Sequence, residues 1–276
     1  KVVWTLHDCW AFTGHCAYFD MVGCKKWKIG CHDCEQKKSY PSSLIKDNSH
    51  WNWEKKRSLF TNLNITLVTP CKWLKNIVRQ SFLKEYSVEV IYNGIDLSIF
   101  HPETTDFEEK YNLQGKYVIL GVASEWTNRK GLKDFIKLEE MLDKTKYRIV
   151  LVGLTEKQIE ELPDTIIGIK RTQNIQELVG IYTRANVFFN PTYEDNFPTT
   201  NLEAIACGTP VITYNTGGSP EAVTEKTGVI CKAGDIESVK SKIVDCISKK
   251  IKIENKQYDY KQMVDCYIEL YRKIVK

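Results

Sequence analysis

The chain has 276 residues, 42% hydrophobic and 27% charged, the make-up of an ordinary globular protein rather than a disordered, fibrous or collagen-like one. That length suggests two domains, or one large one, with ample material for a core. No run reaches the roughly 18 apolar residues of a membrane span, no signal peptide is visible, and the net charge of +4 is far from that of a dedicated nucleic-acid binder.

In chain order, residues 2–6 (VVWTL) predict a short buried strand. The chain does not begin with Met and opens inside this apolar run, so a truncated N-terminal domain is expected. Residues 9–50 are irregular and rich in Cys, Gly, Lys and aromatics, too long for a plain loop, so the segment needs a function or a staple. A helix is expected from Asp47 to Asn62, a strand over 64–70, an amphipathic helix over 71–83 and a strand over 88–94. The clustering of Gly, Asp and Pro over Asn93–Pro102 marks the domain boundary.

Beyond it the alternation is regular. Strands are predicted at 116–124, 147–153, 165–169, 186–191, 210–214 and 227–231. Helices are predicted at 130–144, 155–163, 174–185, 200–207, 219–224, 236–249 and 256–275. Leu132, Phe135, Ile136, Leu138, Met141 and Leu142 keep helical period, and Asn174 with Glu177 three residues on is a capping-box variant. Apolar β-branched strands alternating with helices indicate βαβ units: an α/β fold with a parallel sheet covered by helices on both faces.

Ligands of such sheets lie beyond the carboxyl ends of the strands, so the loops after Val122, Val152, Phe189 and Tyr214 should share one rim. Arg129 and Lys130 with Gly131 enter a helix beside the first of these loops. Two cations at a helix N-terminus suit a diphosphate; the plain alternative is an ordinary loop with surface cations. The G-x-x-x-x-G-K-[ST] spacing of a P-loop is absent. After Phe189, Pro198, Thr199 and Thr200 stand at another helix entrance, where Thr199 or Thr200 could cap. Asp195 lies on the loop and Glu203 about one turn inside. Carboxylates accept hydrogen bonds, so the two suit a polyhydroxylated ligand; the alternative is that they only complement a helix dipole.

Taken together, "NGIDLSIFHP" (93–102), "RKGL" (129–132), "EDNFPTTNLEAIACGTPVITYNTGGSPEAV" (194–223) and "TGVI" (227–230) resemble the retaining glycosyltransferases of family 4, in particular bacterial enzymes of exopolysaccharide and lipopolysaccharide synthesis. The resemblance runs over essentially the whole chain. It implies a GT-B fold: two Rossmann-like domains facing a cleft, the N-terminal one incomplete here. It further implies sugar transfer from a nucleotide-sugar to a glycan or lipid-diphosphate-linked acceptor, with retention and without a catalytic metal. On that pattern residues 1–92 are the partial acceptor-side domain, with the Cys-rich insert 9–50. Residues 93–255 bind the nucleotide-sugar, and 256–276 form a helix crossing back to the N-terminal domain. The family's pair of acids falls on Asp195 and Glu203, the first expected on donor-sugar hydroxyls and the second on the ribose. Asp195 stands where the family usually has Glu, and Glu194 is adjacent. Asn196 and the backbone of Phe197, Pro198, Thr199 and Thr200 line the donor, and Lys130 matches the phosphate-binding Lys. Ser124 and Glu125 stand where the family has an Arg, a charge that Arg129 would replace. His7 is expected near the reacting sugar, although a lone His at a strand end is also a common structural residue. A cytoplasmic location is implied, with contact at the inner face of the cytoplasmic membrane.

Cys16, Cys24, Cys31 and Cys34 could close a tetrahedral structural zinc site, with His15 and His32 as spare ligands; disulfides or free thiols are the alternatives. Lys25, Lys26, Trp27 and Lys28, with Trp51, Trp53, Lys55, Lys56 and Arg57, suit an anionic membrane surface or a lipid diphosphate. The same pattern could make a metal-stapled nucleic-acid module, which the small basic excess disfavours. A nucleotide-sugar epimerase on the same fold and a non-catalytic nucleotide-sugar binder are the other rivals.

Overall fold

The computed structural model describes residues 1–43, 45–249, 253 and 257–275. They form two compact units, one of residues 1–93, 194–197 and 261–276, the other of 94–193 and 198–260.

The first unit holds a parallel sheet of β1 (Val2–Thr5), β2 (Ile65–Thr69) and β3 (Val88–Val90), in that spatial order. Between β1 and β2 lie the insert and α1 (Ser49–Phe60), and α2 (Lys72–Val78) links β2 to β3. The helix expected over 71–83 stops at Val78. Ser81 is the reason: its hydroxyl donates to Val78 O (2.7 Å) and accepts from Leu83 N (3.1 Å), offering the backbone an alternative to the next helical turn. Leu83 is still fully buried. The insert contains two 3-10 turns, Trp10–Phe12 and Lys26–Lys28. What staples it is a small aromatic core. Trp27 lies 5.6 Å from Phe12 and stacks on Phe19 at 4.8 Å. The Trp53 indole donates to Trp27 O (2.9 Å). Buried Lys56 donates to Trp10 O (2.7 Å) and Thr13 O (3.0 Å), with the Trp10 ring 3.4 Å away.

The second unit opens with α3 (Phe107–Lys110), followed by β4 (Tyr117–Val122), α4 (Leu132–Met141), β5 (Tyr147–Val152), α5 (Glu156–Glu160) and β6 (Ile166–Ile169). Then come α6 (Ile175–Arg184), β7 (Val187–Asn190), α7 (Thr199–Ala206), β8 (Val211–Tyr214), β9 (Gly228–Cys231) and α8 (Ile236–Lys249). The six strands are all parallel, in the order β6-β5-β4-β7-β8-β9. β4, β5, β7 and β8 are buried along most or all of their length, which is why they read as continuous apolar runs rather than alternating ones. Residues 219–224 shorten to a 3-10 turn, Ser219–Ala222. Asn174 caps α6 through Glu177 N (2.8 Å), but the Glu177 carboxylate turns to Gln173 N (2.6 Å) and Lys110 (2.7 Å). The complete capping box is Thr155 with Gln158, at α5.

The chain closes with α9 (Tyr260–Val275), whose expected start at 256 lies outside the described residues. Met263, Tyr267, Leu270 and Ile274 recur at helical spacing and pack with Val3, Val68 and Ile91 of the first unit, and the hydroxyls of Tyr267 and Thr5 meet at 3.0 Å.

The core of the second unit centres on Phe135, which is fully buried, 5.5 Å from Trp126 and 5.0 Å from Phe189. It joins α4 to the sheet at the end where the loops gather. Phe135→Ala is expected to lower the unfolding free energy by about 3–5 kcal/mol, measured by urea denaturation. A loss under about 1 kcal/mol would contradict this packing.

Candidate active site

In the second unit the strand order reverses between β4 and β7. The first strand of the unit is central; β5 and β6 extend one way, β7 to β9 the other. The crevice beyond the carboxyl ends at such a switch point is where doubly wound sheets take ligands.

Arg129 and Lys130 occupy the 3-10 turn Asn128–Lys130 that leaves β4, both half-buried. Gly131 follows with φ +74°, and a Cβ there would lie 2.3 Å from Pro191 O. The turn therefore rests directly on the loop after β7, and Tyr193 N donates to Arg129 O at 2.8 Å. Ser124 and Glu125 are exposed.

The helix after β7 differs from expectation at its first residue. The N-cap of α7 is Pro198, which makes no side-chain cap, and Thr199 is already helical. Proline at the cap has no side-chain oxygen, so neither Thr199 nor Thr200 caps; the Thr199 hydroxyl instead reaches Glu203 one turn on. Tyr182 OH donates to Glu203 Oε2 at 2.9 Å. Burial pushes the Glu203 carboxyl above its ordinary value, against the pull of these two hydroxyls. A buried polar network that no sequence spacing signals locks the start of α7. The Asn190 amide donates to Asn201 Oδ1 (2.8 Å), the Asn201 amide reaches Ser219 O and Oγ (3.2 Å each), and Ser219 and Thr213 hydroxyls meet at 2.7 Å.

Of the remaining candidates, His7, Glu194, Asp195, Asn196 and Phe197 belong to the first unit. His7 is exposed just past β1, and its carbonyl accepts from the Asn196 side chain. Asn196 is buried, with Oδ1 lacking a hydrogen-bond partner. Glu194 is 5% exposed and its Oε1 accepts from Met21 N at 2.7 Å, so one of its oxygens ties this segment to the insert; Asp195 is half-buried. The Phe197 ring lies 5.1 Å from Tyr92. The structure thus places Arg129 and Lys130 in the turn after β4, against the loop after β7, and Pro198, Thr199, Thr200 and Glu203 at the start of the helix that this loop enters, with His7 and Asn196 in contact in the first unit.

Cys16 and Cys31 are buried, Cys24 and Cys34 half-buried, and none of the four is in a disulfide. Gly14 N donates to Cys31 Sγ at 3.1 Å. Burial, together with the neighbouring thiols, pushes Cys16 up to about 12; burial above all takes Cys31 to about 11. Among the described residues no group of three or more His, Cys, Asp or Glu stands in an arrangement that could hold a metal ion, so the zinc expectation gains no support from the geometry.

The model of the family described as "Glycosyl transferases group 1" matches residues 103–263. The chain is 24% identical to a putative colanic acid biosynthesis glycosyl transferase, WcaC, of Escherichia coli K12, over 99% of this chain and 68% of that protein. It is 27% identical to the capsular polysaccharide biosynthesis glycosyltransferase CapM of Staphylococcus aureus, over 62% of this chain and 49% of the relative. The chain thus spans from about half to about two thirds of the length of these relatives. Sucrose-phosphate synthase from Thermosynechococcus elongatus superposes with a TM-score of 0.74 at 19% identity, covering 99% of this chain and 67% of that one. That likeness shows the fold, and the fold is that of the GT-B glycosyltransferases.

Glu203 yields a pH test. Unfolded, its carboxyl titrates near 4.5; folded, it titrates higher. Between the two values the fold binds more protons than the unfolded chain, so this group's contribution to stability falls as pH rises through that window. Glu203→Gln should therefore raise the melting temperature near pH 7 relative to the parent, with the gain shrinking as pH falls towards 4.5. A difference independent of pH would contradict the burial of this carboxylate.

Proposed function

Because the chain belongs to the glycosyl transferases group 1 family, we propose that it transfers a sugar from a nucleotide-sugar donor to a glycan or lipid-linked acceptor in cell-surface polysaccharide synthesis, with retention of anomeric configuration. What supports the donor side is that the Arg129–Lys130 turn follows β4 and the side-chain-uncapped start of α7 follows β7, the two neighbouring strands at the switch point. In the reaction the bond from the anomeric carbon to the diphosphate oxygen breaks, the electron pair leaves with the nucleoside diphosphate, and the acceptor hydroxyl oxygen bonds to the carbon as its proton passes to the departing diphosphate. The charge developing on the leaving group is met by Lys130, Arg129 and the N–H groups opening α7; preorganised electrostatics of this kind is usually the largest catalytic term.

Glu203, fixed by Tyr182, presents acceptor capacity to the ribose. Asp195 on the donor-sugar hydroxyls and His7 near the reacting carbon are roles supported by the family resemblance. On the acceptor side, the first unit exposes Ile29, Tyr40, Ile45 and Trp51, interleaved in sequence with lysines, and Lys55 lies over the Trp51 ring at 5.7 Å. Such a surface suits an anionic bilayer carrying a lipid diphosphate, and no helix of the described residues is long and apolar enough to cross the membrane.

The test is product analysis with a panel of nucleotide-sugars and a lipid-linked acceptor. Transfer with release of nucleoside diphosphate is expected; a sugar altered without acceptor would mark an epimerase, and binding without turnover a non-catalytic module. In the active assay Lys130→Ala should cost on the order of 10²–10³-fold in kcat; unchanged turnover would remove Lys130 from the site.

A further inference from the structure

Asp134 lies in the first turn of α4, four residues past Lys130, and is 3% exposed. A carboxylate this deep needs partners to offset its lost hydration. It has two, both on one oxygen: Tyr193 OH donates to Oδ2 at 2.8 Å and Tyr214 OH at 2.9 Å. Tyr193 comes from the loop after β7 and Tyr214 from the end of β8, and their rings pack at 5.5 Å. Burial, then the Asp134 carboxylate, pushes the Tyr193 hydroxyl up to about 12, and burial raises Tyr214 further. Both phenols therefore stay donors at working pH, and hydrogen bonds to an ionised acceptor are the strong kind. The helix dipole adds to this at the first turn of α4.

The tie has two ends. The Tyr193 hydroxyl holds Asp134, and the Tyr193 N–H holds Arg129 O at 2.8 Å. One residue thus grips the cationic turn on both sides of Gly131, whose missing Cβ is what allows the turn to lie against Pro191. We propose that Asp134, through the hydroxyls of Tyr193 and Tyr214, is a positioning residue that fixes the Arg129–Lys130 turn in register for the donor's diphosphate. It touches no substrate itself. The inference deepens the reading above and rests on the Arg129–Lys130 turn being the diphosphate site.

The gain in affinity on going from a nucleoside monophosphate to the diphosphate reports the cationic turn, because the base and ribose are common to both. Calorimetry on the full chain with UDP and UMP, and with the guanosine, adenosine, cytidine and thymidine pairs, gives that ratio. Tyr193→Phe keeps the ring and removes one hydroxyl; Asp134→Asn keeps the shape and removes the charge. Each is expected to weaken diphosphate binding by about 3- to 10-fold, part of the worth of a hydrogen bond to a charged group because the second hydrogen bond to residue 134 persists, with monophosphate binding unchanged. Equal weakening of both ligands would show a merely fold-supporting role and overturn the proposal, as would no change in either. Should Asp134→Asn fail to fold, Tyr193→Phe decides by itself. A parent protein that binds none of the diphosphates would overturn the proposed function together with this inference, whereas a parent that binds with an unaltered ratio in both variants overturns this inference alone.

Discussion

A parallel sheet that begins at its centre must wind outwards twice. In the second unit β4 is laid down first, β5 and β6 extend to one side, and the chain then returns to place β7 against the free edge of β4. Right-handed crossovers put the helices of the two halves on opposite faces. The helices that follow β4 and β7 consequently leave on different faces, and the crevice of a switch point lies beyond the carboxyl ends of these two strands. What the second unit offers the proposed donor follows from that constraint: the Arg129–Lys130 turn after β4, and the start of α7 after β7.

A crevice alone does not fix the groups that line it. The rim is held by buried polar side chains, each of which would cost free energy without its partner. Asn190, Asn201, Thr213 and Ser219 close one network beneath α7. Asp134, Tyr193 and Tyr214 close another beneath the cationic turn. Tyr182 holds Glu203. These bonds are directional where the surrounding apolar core is not, so they set where the loops stop. The insert of the first unit is organised differently, with Trp27, Trp53 and Lys56 packing and hydrogen-bonding the irregular backbone from within.

The legible part of the fold was the part governed by local periodicity. The apolar runs around Leu120, Val150, Phe188 and Ile212 read as strands because both of their faces are covered, and the face of α4 carrying Phe135 and Leu138 reads as a helix. Arg129 and Lys130 were legible too, as cations beside a glycine between a strand and a helix. What the sequence hid depends on chain segments far apart. Tyr193 and Tyr214 stand 59 and 80 residues from Asp134, and Glu194 meets Met21 across 173, so no spacing rule connects them. Local propensity starts α7 one residue late because threonine is the better intrinsic cap, while the chain entering from Pro198 makes Thr199 helical. The spacing of Cys16, Cys24, Cys31 and Cys34, by contrast, carries their proximity into the fold: the other three thiols all act on Cys16.

The central claim is that a nucleoside diphosphate settles against the turn after β4 and the opening of α7. Amide hydrogen exchange, followed residue by residue with and without a saturating nucleoside diphosphate from the five-base panel, tests it most directly. Added protection concentrated at residues 129–131 and 199–202, and small elsewhere in the second unit, is the predicted result. Clear binding accompanied by protection at other positions, with these two segments exchanging as before, would contradict the account.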